Sequence, residues 1–100
     1  MGKLATTPFD VAKYIQTPEA VTELLNDAFE SGHAGYIANA LGIAARSEGM
    51  TRIAAKAGVN RQALYTALGE NGNPTLETLL KVLGALGLRL KCEAELKDAA

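Results

Sequence analysis

The stretch Thr51-Arg52-Ile53-Ala54-Ala55-Lys56-Ala57-Gly58-Val59-Asn60-Arg61-Gln62-Ala63-Leu64-Tyr65-Thr66-Ala67-Leu68 reads as two short helices meeting at a tight turn. Thr51 has the side chain to cap the first helix, about 52–57, and Ala54 is small where the two helices must cross. Gly58 falls at the turn, where a positive φ is needed and a Cβ is unwelcome. Val59 tucks beneath that turn, and Asn60 caps the second helix, about 61–68. With Leu64 and Leu68 directed inward, Arg61, Gln62, Tyr65 and Thr66 fall on the outward stripe.

That pattern is a helix-turn-helix whose second helix enters the major groove of double-stranded DNA. Arg61 and Gln62 have the donor and acceptor sets that read guanine and adenine edges, and Tyr65 and Thr66 are in reach of a phosphate or a thymine methyl. Thr51, Arg52, Lys56 and Asn60 are assigned to the phosphate backbone, Asn60 chiefly as a cap. The plainer reading is a helix-glycine-helix corner that serves packing alone, with a solvated polar face and Tyr65 partly buried. Beyond it, Asn71-Gly72-Asn73-Pro74-Thr75 is a polar loop ending in a proline and a cap. Asn71, Asn73 and Thr75 there are candidates for phosphate contact at a helix N-terminus, against a plain capped turn.

The flanking sequence supplies a helical frame. A short helix is expected near Asp10, with Val11, Tyr14 and Ile15. Thr17-Pro18 opens the next, in which Val21, Leu24, Leu25, Ala28 and Phe29 share a face, and Ser31-Gly32 closes it. A helix over about 34–48 buries Ile37, Leu41, Ala44 and Ala45 and stops at Gly49. The last, about 76–86, is capped by Thr75, turns Leu76, Leu79, Leu80, Leu83 and Leu86 inward, and ends at Gly87.

After Gly87 the period changes from 3.6 to 2. Leu88, Leu90, Cys92, Ala94 and Leu96 alternate with charged residues, the pattern of a half-buried strand. No second strand is legible, so this one needs a partner from another copy or another protein. An antiparallel ribbon with a symmetry mate is favoured over an added edge on a partner's sheet. The expected architecture is all-α: a helix-turn-helix bundle of five to six helices with a short C-terminal β-strand paired in a dimer. It forms a single domain over 1–100, with an N-terminal extension (1–32), a DNA-binding core (34–87) and the strand (88–97).

The bulk numbers agree with this frame. A chain of 100 residues buries roughly two thirds of its unfolded surface, enough for one core. The apolar fraction is 48% and the aromatic fraction 5%, which favours packed helices over a sandwich or barrel. The net charge of −1 hides an asymmetry: residues 1–45 sum to −3, 46–91 to +4 and 92–100 to −2. A basic middle suits a DNA face between protein-facing ends. Neither a membrane span nor a secretory signal is legible. The single cysteine, Cys92, excludes an internal disulfide framework, suits a reducing cytoplasm and reads as a small hydrophobe.

No catalytic arrangement, metal-ligand spacing or phosphate-binding glycine loop is legible, so neither an enzyme nor a cofactor or metal is expected. His33 reads as an exposed residue at the start of a helix.

Leu68 through Leu80, with Gly72-Asn73-Pro74-Thr75 at its centre, resembles the segment after the recognition helix in lambda-repressor-like (XRE-type) domains. Thr6-Thr7-Pro8-Phe9-Asp10-Val11-Ala12-Lys13-Tyr14 and Thr17-Pro18-Glu19-Ala20 resemble the start of small addiction module antidote proteins, the HigA-like antitoxins encoded beside RelE-type toxins. Met50 to Leu68, Leu79-Leu80-Lys81-Val82-Leu83 and Ala85-Leu86-Gly87-Leu88-Arg89-Leu90 extend the likeness over nearly the whole chain. The chain departs from that family at Asn60, where serine is usual, and at Gly32-His33-Ala34-Gly35, where the loop is usually more acidic. The resemblance implies a homodimeric autorepressor that binds a palindromic operator and neutralises a RelE-like toxin. The alternatives are an XRE-type phage or housekeeping regulator without a toxin, and a protein-interaction module of the same fold that has lost DNA binding.

Overall fold

The computed structural model describes residues 17–69 and 71–95. The expected helix near Asp10, with Val11, Tyr14 and Ile15, lies outside them, as does Leu96.

Five helices fill the described residues: α1 (Pro18–Ser31), α2 (Ala34–Glu48), α3 (Met50–Ala57), α4 (Arg61–Ala67) and α5 (Leu76–Ala85). Thr17 caps α1, its Oγ1 accepting the Ala20 N–H at 3.1 Å, and Pro18 occupies the first turn, where a missing N–H costs nothing. Gly32, at φ 69°, ends it by donating its N–H to the Phe29 carbonyl. Two residues later α2 begins and packs back on α1, burying Val21, Leu25 and Ala28. A side-chain contact joins the two helices at the surface: the Tyr36 hydroxyl donates to Asp27 Oδ2 at 2.7 Å.

The central element is α2. Ala38 and every residue from Ala40 to Ala45 are buried, more than a single stripe. The expected face of Ile37, Leu41, Ala44 and Ala45 is therefore only part of what α2 buries. The small residues let other backbones approach: a Cβ built on Gly42 would lie 2.6 Å from the Leu68 carbonyl oxygen, at the end of α4. Leu41, Ile53, Leu64 and Val82, from four different helices, are the largest fully buried side chains.

Three sequence expectations change here. First, α3 starts at Met50, and its N-cap is Gly49 (φ 106°) with no side-chain cap, so Thr51 lies within the first turn rather than capping it. The chain passes directly from α2 into α3 through this positive-φ glycine, and burial of Met50 anchors the earlier start. Second, Leu76 and Leu80 face solvent, 65% and 48% exposed, while Val82 and Leu83 are buried. Val82 widens the apolar arc of α5, and the helix is turned so that Leu79, Val82, Leu83 and Leu86 meet the core, leaving Leu76 and Leu80 at the outer edge.

The third change concerns the C-terminal segment. Gly87 (φ 79°) ends α5 as expected, and Leu88 packs on the core with its N–H donating to the Leu83 carbonyl at 2.8 Å. From 89 to 95 the chain is exposed and no strand forms among the described residues. Leu90 is 40% exposed, and Cys92 and Ala94 are exposed as well, so Cys92 is not packed as a small hydrophobe. A strand is held by its ladder, and among the described residues no ladder forms with this segment.

Candidate nucleic-acid interface

The corner between α3 and α4 is built by four local devices. Ala54, 4% exposed, keeps the two helices close. Gly58 adopts φ 70° and ψ 34°, the left-handed conformation that the turn needs. Val59 donates its N–H to the Ala54 carbonyl at 3.0 Å and packs against the core. Asn60 then starts α4, its Oδ1 accepting the Ala63 N–H at 3.0 Å. These are the positions at which the sequence places a small residue, a glycine, an inward valine and a cap.

Burial of Leu64 and Leu68 fixes the rotation of α4. Arg61, Gln62, Tyr65 and Thr66 are consequently all exposed. The Arg61 guanidinium carbon lies 5.5 Å from the Tyr65 ring centroid, within cation–π range, so the aromatic supports the cation at the surface instead of filling the core. Thr66 donates its hydroxyl to the Gln62 carbonyl at 3.2 Å, which occupies its proton locally and leaves its methyl group and remaining lone pair for outside contacts.

The residues assigned to phosphate lie on α3, at the start of α4 and in the loop before α5. Thr51, Arg52 and Lys56 are exposed on α3, the last two one turn apart. Asn71 and Asn73 are exposed in the loop before α5. Thr75 is committed to its own helix: its Oγ1 accepts the Thr78 N–H and donates to Thr78 Oγ1, both at 3.1 Å. Asn60 likewise spends its side-chain oxygen on capping, so neither is free to act only as a phosphate ligand.

Gly72, to which the sequence reading gave no structural part, holds this loop against α4. Its N–H donates to the Gly69 carbonyl at 2.9 Å, and a Cβ there would overlap the Ala67 carbonyl. Gly42 sets the opposite boundary, against Leu68. Neither contact leaves a periodic signature in the sequence, because each depends on where a distant backbone passes.

The charge is segregated. From Met50 to Gly69 there are three basic side chains, Arg52, Lys56 and Arg61, and no acid. On α1 the reverse holds, with Glu19, Glu23, Asp27 and Glu30 and no base. Asp27 also acts on Tyr36: the hydrogen bond that it accepts from the phenol raises the tyrosine pKa above 10.0, with smaller contributions from desolvation and from the carboxylate charge. His33 sits exposed at the N-cap position of α2 without capping it through its side chain. Among the described residues no three or more His, Cys, Asp or Glu side chains gather as a metal site, and no helix is long and apolar enough to cross a membrane.

Residues 5–94 match the family model described as "Probable addiction module antidote protein". The chain belongs to this family. A relative from Haemophilus influenzae, described as an uncharacterized protein, is 39% identical over 85 residues, covering 85% of this chain and 88% of its own length. No solved structure matches. The family match spans all five helices and most of the exposed segment after them.

Proposed function

We propose that this antidote-family protein is a sequence-specific DNA-binding repressor, with α3 and α4 as its helix-turn-helix. The observation that carries the reading is the outward face of α4. Its cap and its two buried leucines hold Arg61, Gln62, Tyr65 and Thr66 in solvent, on a stretch of chain without a single acidic residue. In this reading Arg61 and Gln62 contact base edges, Tyr65 and Thr66 flank them, and Thr51, Arg52, Lys56, Asn71 and Asn73 clamp phosphate. Asn60 and Thr75 present the N-terminal backbone groups of α4 and α5 to the same backbone while capping them.

Two copies reading twofold-related half-sites require a homodimer and a palindromic operator. Family membership supports a role as antitoxin, and the proposal extends it to a cytoplasmic protein that autorepresses its operon and neutralises a RelE-like toxin. The acidic α1, with Glu19, Glu23, Asp27 and Glu30 and no base, is the surface this reading assigns to the toxin. The test of DNA binding is a gel-shift titration with DNA from the protein's own promoter. Retardation that weakens steeply with salt supports the reading, and its absence at low salt overturns it. Co-purification with the product of the adjacent reading frame tests the antitoxin role separately.

A further inference from the structure

The outer edge of α5 carries two exposed leucines. Leu76, Leu80 and Gly84 recur every fourth residue along it, so they form one row. The two leucines are 65% and 48% exposed. Gly84 is exposed too, and a Cβ added there would meet nothing within 4 Å. Among the described residues no contact therefore calls for glycine, although glycine is a poor helix former compared with alanine. Along one side of the row run Glu77 and Lys81, paired at 3.2 Å.

We infer that this row is where a second copy of the chain docks, through antiparallel packing of α5 on α5 about a twofold axis at Leu80. The row is self-complementary in that arrangement. With Leu80 facing Leu80 of the mate, residues four before and four after the axis meet, so Leu76 of each copy enters the notch left by Gly84 of the other. A projecting side chain opposite a missing Cβ is what close helix packing needs, and it gives Gly84 a part that no contact among the described residues supplies. The charges agree with this register. Glu77 of one copy comes alongside Lys81 of the other, so the polar edge closes acid against base.

The inference deepens the homodimer of the proposed function and rests on that part of it. It assigns the dimer contact to α5 and leaves the exposed segment 89–95 outside that contact.

Sedimentation velocity on the full-length protein without DNA tests it, since association is then read independently of operator binding. The unmodified chain is expected to sediment as a dimer. Leu80→Glu, at an exposed position, is expected to give a folded monomer, with circular dichroism reporting the fold. Gly84→Ala is the discriminating variant. It improves the helix of the monomer yet fills the notch, so it is expected to weaken the dimer at least tenfold while raising the thermal midpoint of the monomer. Leu90→Lys, in the exposed segment, is expected to leave the dimer intact.

A Leu80→Cys, Cys92→Ser double variant should form a covalent dimer under mild oxidation, because the twofold brings the two thiols together. A monomeric wild-type chain, or association unchanged in both Leu80→Glu and Gly84→Ala, overturns the inference. Loss of the dimer in Leu90→Lys alone overturns it in favour of the C-terminal segment. DNA binding that survives in a monomer would separate failure of this inference from failure of the DNA-binding reading.

Discussion

Replacing Gly42 by alanine sets two opposing effects against each other in the middle of α2. Alanine is favoured over glycine in a helix interior by about 1 kcal/mol. The new Cβ, however, would stand 2.6 Å from the carbonyl oxygen of Leu68, which is backbone and cannot swing away. Ordinary carbon–oxygen contact begins at about 3.3 Å. The end of α4 must therefore retreat by about 0.7 Å, pulling Leu68 and its neighbour Leu64 from a fully formed core.

Overpacking of this kind costs about 1–3 kcal/mol. Because the obstacle is main chain, the upper part of that range applies, and the net loss after the helix gain is about 1–2 kcal/mol. Gly84→Ala supplies the control: it makes the same helix gain, with nothing within 4 Å to oppose it, and should stabilise the monomer by about 0.5–1 kcal/mol. Urea denaturation of the two variants, at concentrations low enough to keep the chain monomeric, compares the midpoints at constant slope. A Gly42→Ala midpoint equal to or above wild type would refute the packing argument. Since α4 also carries Arg61 and Gln62, the same variant should bind operator DNA less tightly under conditions where it remains folded.

The remaining predictions address the interface and the α1–α2 contact. Arg61→Ala should relax sequence preference and cost about 1–3 kcal/mol of operator affinity. Lys56→Ala should instead weaken binding to all sequences and reduce the salt slope by about one; equal behaviour of the two in competition gel shifts would show the roles of reader and clamp to be misassigned. Asn60→Ala removes the cap bond to Ala63 and should lower stability by about 1 kcal/mol in thermal or chemical melts, with Asn60→Ser restoring it. Tyr36 holds its proton more tightly in the folded chain, so its bond to Asp27 contributes in full below pH 10 and fades as pH rises through the raised pKa. In Asp27→Ala, ultraviolet titration should move one tyrosine to lower pH, and an unchanged titration would show that this hydrogen bond does not form in solution.

The α3–α4 corner was legible because its requirements are local. A left-handed turn demands Gly58, exposed N–H groups at a helix start demand a cap such as Asn60, and a helix seven residues long needs both Leu64 and Leu68 to hold it down. Capping fixed Thr17 and Thr75 in the same way. Thr51 misled for an instructive reason: its chemistry suits a cap, but helix starts are chosen jointly by caps and burial, and here Gly49 and the buried Met50 decided. Alternation in 88–96 likewise shows what the segment suits, whereas a strand also requires a neighbouring strand, and none is formed among the described residues.

By itself the sequence determined which residues turn outward on α4 and where four of the five described helices begin, because caps, glycines and periodicity act within one turn of helix. Only the tertiary structure decided the rotation of α5, the backbone contacts at Gly42 and Gly72, and the open space around Gly84. Those depend on how closely segments far apart in the chain approach. An apolar arc wider than the contact available to it leaves several rotations compatible with the same hydrophobic pattern.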